Sequence, residues 1–103
     1  MSRAYVLSIL AEADLRDIVR YSRKQWGDQR TRAYVEQLDR GTNKLARAEG
    51  HYRDMSAVYP ELRVALVGHH YVFCLPRADA PALVVAVLHE RMDFITRLKA
   101  RLG

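Results

Sequence analysis

The chemistry of this sequence gathers where its last apolar run stops. Ala82 to Leu88 is apolar throughout, and His89-Glu90-Arg91 follows at once. A run of that kind reads as a strand buried on both faces. An imidazole, a carboxylate and a guanidinium thus stand together where the chain leaves a sheet. Groups of this kind can cleave a phosphodiester, a base and an acid moving protons while cations hold the phosphate. Beside His89 and Glu90, Arg63, His70 and Arg91 could hold phosphate; the grouping of Arg63, His89 and Glu90 as a nuclease site rests on a family likeness given below. Glu90 repels phosphate unless it serves as the base, so the set is incomplete. The plainer role for His89 is structural, its two ring nitrogens bonding to neighbouring backbone at the strand end. Cleavage is therefore carried as an alternative, and no catalytic residue is assigned.

Other chemistries find less support. His51, His69 and His70 show no metal-ligand spacing with Cys74 or with acidic residues. There is no glycine-rich phosphate loop, and Ser8 has no base nearby in sequence. Neither a metal nor a cofactor is expected. Cys74 lies inside a strand-like run and is expected to be a buried thiol. A lone cysteine forms no internal disulfide, which points to the reducing cytoplasm.

The elements that must position these groups follow from periodicity. Ala4 to Leu7 reads as a short strand, and Ser8 can cap the helix after it. Leu15, Ile18, Val19, Ser22 and Trp26 then follow helical spacing and define a core stripe. Gly27 fits a helix end and Asp28 a new start. In the second helix Tyr34, Leu38, Gly41 and Leu45 share one face. A close crossing would explain Gly41. His51 to Pro60 is irregular or an edge strand. Leu62–Val67, His70–Leu75 and Leu83–Leu88 read as a meander, the last being its central strand. Asp93 can cap a short last helix with Phe94, Ile95 and Leu98 on its apolar side. The expectation is one α+β domain over residues 1–103, ordered β-α-α-β-β-β. An antiparallel helix hairpin packs on one face of a small, mainly antiparallel sheet, and a short C-terminal helix follows.

Net charge is +5, and 14 of the 17 basic residues are arginines, whose flat forks suit carboxylates and phosphates. An acidic partner is implied. Arg16, Arg20, Arg23, Lys24, Arg30 and Arg32 cluster around the helix turn, but Asp14, Asp17 and Asp28 sit among them. That pattern reads as a solvated, salt-bridged face, so direct nucleic-acid binding is not expected. No apolar stretch approaches the roughly 20 residues of a membrane span. No cationic segment followed by an apolar one suggests a signal peptide.

The ordered set of motifs resembles the ParE toxins of bacterial toxin–antitoxin pairs, over nearly the whole chain. Tyr5-Val6-Leu7-Ser8, Ala11 to Leu15 and Gln25-Trp26-Gly27 resemble their first strand, helix start and turn. Val67 to Phe73 resembles their central hairpin, and Val87 to Asp93 their ending. Departures are Cys74-Leu75 after Phe73, Ala86 in the last strand, and Ala48 to Arg53 after the second helix. The resemblance implies a cytoplasmic toxin that binds and poisons DNA gyrase, neutralised by a ParD-type antitoxin in a hetero-oligomer. The fold is shared with the RelE ribonucleases, which cut messenger RNA on the ribosome, so the site must decide. The gyrase-facing residues are expected at the chain end: Arg91, Met92, Phe94, Arg97, Lys99 and Arg101. Two readings of this tail stand: a solvated helix docked on the sheet, and a basic arm that leaves the core without unfolding it, on which the gyrase-facing expectation rests. The antitoxin is expected to cover Trp26, Tyr34, Tyr71 and Phe73.

Overall fold

The computed structural model describes residues 4–103. Strand β1 (Tyr5–Leu7) leads into helix α1 (Ile9–Ala46) through Ser8, whose hydroxyl accepts from the Ala11 amide at 3.1 Å. A straight helix of this length would run about 57 Å, yet the longest dimension of the molecule is 38 Å. The helix folds back at Gly27, whose φ of 82° lies in the left-handed region that a side chain disfavours. Ala11 in the first arm and Leu45 near the end of the second meet in one core cluster, so the arms run antiparallel. The expected hairpin is present.

The remaining strands are β2 (Arg53–Asp54), β3 (Arg63–Val67), β4 (His70–Leu75) and β5 (Ala82–His89), and helix α2 (Phe94–Leu102) closes the chain. The five strands are ordered β1-β5-β4-β3-β2. β1 runs parallel to β5, and the other pairs are antiparallel. The central place therefore falls to β4. The strand expected there, β5, lies between β1 and β4, which still buries both its faces.

Each face has its own core. Under α1 lie Tyr5, Val72, Cys74, Ala82, Val84 and Val87. On the other face Leu62, Val64, Phe73, Val85, Ala86 and Leu88 pack with Leu98 of α2. The helix hairpin and α2 thus occupy opposite faces of the sheet. The helical segments differ in scale: a two-armed hairpin covers one face, and two and a half turns with a sharp apolar side (Phe94, Leu98, Leu102) suffice for the other.

Two local features set the geometry of the site. Gly41 allows close helix-on-sheet approach, since a Cβ there would lie 2.5 Å from a Val67 methyl. The crossing that explains this glycine is helix on strand, not helix on helix. The second feature is a bulge. Phe73 pairs with Ala86 and Cys74 with Val84, leaving Val85 as the extra residue. Val84 and Val87 consequently face α1, while Val85, Ala86 and Leu88 face α2.

Candidate functional site

A cleft of about 590 Å³ opens beside the hairpin bend. Tyr21, Ser22, Trp26 and Tyr34 of α1 form one wall, and His69, His70, Val87 and His89 at the sheet end form the other. Arg91, Met92 and Arg97 complete its rim. The register explains the convergence. His70 pairs with His89 across β4 and β5, and His69 sits in the turn just before.

Every imidazole here is anchored through Nδ1. His69 Nδ1 lies 2.6 Å from Glu90 Oε2, His70 Nδ1 lies 2.6 Å from the Tyr34 hydroxyl, and His89 Nδ1 accepts from the Arg91 amide at 3.1 Å. The His69 and His89 rings stack at 6.4 Å, and His70 meets His89 edge-on at 5.2 Å. Burial, helped by the neighbouring His89 and His69, pushes the His70 pKa down to about 4. That ring is neutral at physiological pH. The hydrogen bond from His69 holds the Glu90 carboxyl below its usual range. Burial raises the Tyr34 phenol. The Tyr34 oxygen also accepts from the His69 amide at 3.0 Å. Gly68 makes room for this tyrosine, since a Cβ there would lie 2.6 Å from its ring.

Behind the cleft the two helical layers are joined. Both Nη atoms of Arg101 lie 2.6 Å from the Asp14 carboxylate, and Nη1 also donates to the Val85 carbonyl at 3.1 Å. Asp14 Oδ2 accepts from the Val87 amide at 2.9 Å. β1 accompanies β5 only as far as Val84. Asp14 and Arg101 therefore satisfy backbone groups of β5 that β1 leaves unpaired. The Asp14 bonds raise the Arg101 pKa further.

The residues singled out from sequence fall into three groups. His89 and Glu90 reach the cleft, but Arg63 does not. It opposes Cys74 at the far end of β3, four residues before Val67, the partner of His70. That is about 13 Å along the strand, and the Arg63 guanidinium instead lies over the Tyr52 ring at 5.6 Å. The nuclease set Arg63, His89 and Glu90 is therefore not assembled. His89 does bond to backbone, as its structural role required. His70, a candidate phosphate ligand, is half-buried on Tyr34.

The aromatic set also divides. Trp26 is 41% exposed at the cleft, not in the core stripe, and Tyr34 lines the same cleft. Phe73 is fully buried, and Tyr71 is half-buried beside it. Phe94 covers both at ring separations of 5.5 and 5.0 Å. These two aromatics belong to the sealed core and offer no open groove.

At the chain end, Arg91, Arg97 and Lys99 are exposed and Met92 is half-buried. Phe94 and Arg101 face inward, and Leu98 is fully buried. The docked helix is thus found and the detachable arm is corrected: Leu98 is part of the second core, with Phe94 and Leu102 packed against it. Sequence reading missed Asp14, which it placed on a solvated, salt-bridged face, and Tyr34 as an anchor for His70. Helical spacing places Tyr34 on the inner face, but its ring partner lies 36 residues away. Cys74 is buried as expected, and burial pushes its thiol up to about 11. Among the described residues no cluster of three or more His, Cys, Asp or Glu side chains could hold a metal, and no helix is long and apolar enough to cross a membrane.

Known proteins share this plan. The family model for the ParE toxin of type II toxin–antitoxin system, parDE, matches residues 5–94. A Toxin ParE from Escherichia coli is 58% identical over 99 residues, spanning 96% of this chain and 96% of its own length. Toxin ParE1 of Mycobacterium tuberculosis is 30% identical over 93 residues, 90% of this chain and 95% of its own. A chain of the chromosomal ParDE TA system from P. aeruginosa has the same fold, with a TM-score of 0.67 at 13% identity over 82% of this chain and 92% of that one. Motif order, a two-core α+β fold and these relatives agree that the chain belongs to the ParE toxin family of type II toxin–antitoxin systems.

Proposed function

We propose that this protein inhibits DNA gyrase by binding it and is neutralised by a ParD-like antitoxin in a cytoplasmic hetero-oligomer. Membership of the ParE family carries the reading, and the surface is consistent with it. Arg91, Met92 and Arg97 form a basic, partly apolar rim suited to an acidic protein face, and Lys99 adds an exposed cation on the same helix as Arg97. Phe94 and Arg101 complete the gyrase-facing segment by holding that rim in place. Its binding role depends on docking, since the segment cannot leave the sheet without uncovering Phe73 and Leu98.

The antitoxin has a separate, better exposed target. Val6, Ile9 and Leu10 are 37%, 82% and 51% exposed. Beside them Leu7, Leu15 and Val19 line a groove flanked by Arg16, Arg20, Arg23 and Lys24. An apolar strip with a basic margin suits an amphipathic acidic segment. Trp26 and Tyr34, which line the cleft at the hairpin bend, are a second surface for the antitoxin.

The test is a purified-gyrase supercoiling assay beside a ribosome-programmed mRNA cleavage assay on one preparation. Lost supercoiling with trapped cleaved DNA and intact mRNA is expected. Cut mRNA with unaffected gyrase would replace this reading with a RelE-like endoribonuclease.

A further inference from the structure

The histidine cleft presents donors that no contact within the chain uses. The Arg91 amide donates to His89 Nδ1, so the ring proton of His89 sits on Nε2. The Tyr34 oxygen accepts from the His69 amide, and its own proton goes to His70 Nδ1 at 2.6 Å in preference to the Val67 carbonyl at 3.4 Å. His70 therefore also carries its proton on Nε2. Neither Nε2 makes a hydrogen bond among the described residues. No buried side-chain polar atom there lacks a partner, so both N–H groups reach solvent, and both rings line the cleft.

Two cations join them. Arg91 and Arg97 line the same cleft, are exposed, and form no side-chain hydrogen bond or ion pair among the described residues. The acids nearby are already engaged. Asp14 is held by Arg101, Asp17 by Arg20 at 3.3 Å, and Glu90 by His69. The polar side of the cleft thus favours an anion with several oxygens. The opposite wall is aromatic. Tyr21, Trp26 and Tyr34 meet edge-on in sequence, at 6.4 and 6.5 Å, and Tyr21 and Trp26 expose 62% and 41% of their surface. Such rings stack with any nucleobase. The cleft volume of about 590 Å³ falls in the range of small-molecule sites.

We propose that this cleft binds a nucleoside monophosphate, with its phosphate on His70 and His89 Nε2–H and on Arg91 and Arg97, and its base against Trp26 and Tyr21. The inference goes beyond gyrase inhibition and does not depend on it.

The experiment is calorimetric titration of the full chain with adenosine 5′-monophosphate, with inorganic phosphate, adenosine and an N-acetyl Asp-Trp dipeptide run separately. The nucleotide should bind at least about tenfold tighter than any of the other three. Long-range ¹H–¹⁵N spectra should show Nε2 of His70 and His89 shifting. Arg97→Ala and His89→Ala should each weaken binding about tenfold, while Arg53→Ala, on the far edge strand β2, should leave it unchanged. Arg97 is exposed and makes no side-chain hydrogen bond or ion pair among the described residues, so R97A keeps the test decisive even if H89A unfolds. The proposal is overturned by no binding up to about 10 mM nucleotide. Phosphate or the dipeptide matching the nucleotide would also overturn it, as would R53A weakening binding as much as R97A.

Discussion

Two contacts between a basic and an acidic side chain in this molecule have the same 2.6 Å distance and opposite surroundings. Asp14–Arg101 joins residues 87 positions apart, with side chains only 14% and 17% exposed, and its atoms also bond to the β5 backbone. His69–Glu90 joins a turn to a strand end, with side chains 66% and 33% exposed. Distance alone would rank them equal. Water screens the second pair and lets either partner be rehydrated when the other is lost. The first pair has no such recourse, because removing one member leaves the other's charge and one β5 backbone group, the Val85 carbonyl or the Val87 amide, without a partner. The protein therefore keeps its structure at the back of the cleft and its adaptable chemistry at the mouth.

The largest expected effect breaks the clasp and its helix together. Deleting residues 94–103 removes Leu98 and Phe94 and uncovers Phe73. The summed burial and ion-pair loss, about 6 kcal/mol or more, is comparable to the whole stability of a small domain. The truncated chain should show no cooperative thermal transition; a folded truncation would mean that α2 is an appendage after all. Next comes Arg101→Ala, expected to cost about 3 kcal/mol in denaturant unfolding. The loss should change little between low and high salt. Arg101→Lys should recover only part of it, because a point charge cannot replace the two-pronged contact.

A third effect separates the two regions by pH. The folded His70 pKa of about 4 lies below the unfolded value near 6.5, so the unfolded chain binds more protons between these limits. Stability should be full above about pH 6.5 and fall as pH drops toward 4. With solvent screening the loss is up to about 2 kcal/mol. His70→Gln should flatten the slope in that window while leaving Asp14–Arg101 intact. A wild-type curve already flat there would place His70 in water. The smallest effect belongs to the exposed pair. Glu90→Gln should leave the melting temperature unchanged at physiological salt and produce a shift only at low ionic strength.

Much of the plan was legible because it rests on local rules. Gly27-Asp28 marks the hairpin bend, and the apolar run of β5 marks a strand with both faces covered. The failures involve distant partners. Arg63 and His89 both looked available, yet only strand register reveals that they stand at opposite ends of the sheet. Arg101 looked like part of a basic surface, and nothing local distinguishes it from Lys99, which is exposed. Its destination is an aspartate near the start of α1. Tyr71 and Phe73 looked like groove aromatics because the sequence does not say which face the last helix takes.

The extra residue in β5 acts as a frame-setter for everything downstream of it. Without Val85 as the unpaired member, inside–outside alternation would run on unshifted from Ala82, and His89 would emerge beneath α2, away from His70. Losing one residue at Val85 or Ala86 would erase the bulge yet keep Val87 and His89 on the α1 face, whereas gaining one that pairs regularly would turn both to the α2 face. Point substitutions there among similar aliphatics should be tolerated. Variation in the length of this strand is accordingly expected as loss of the extra residue, not as gain of another.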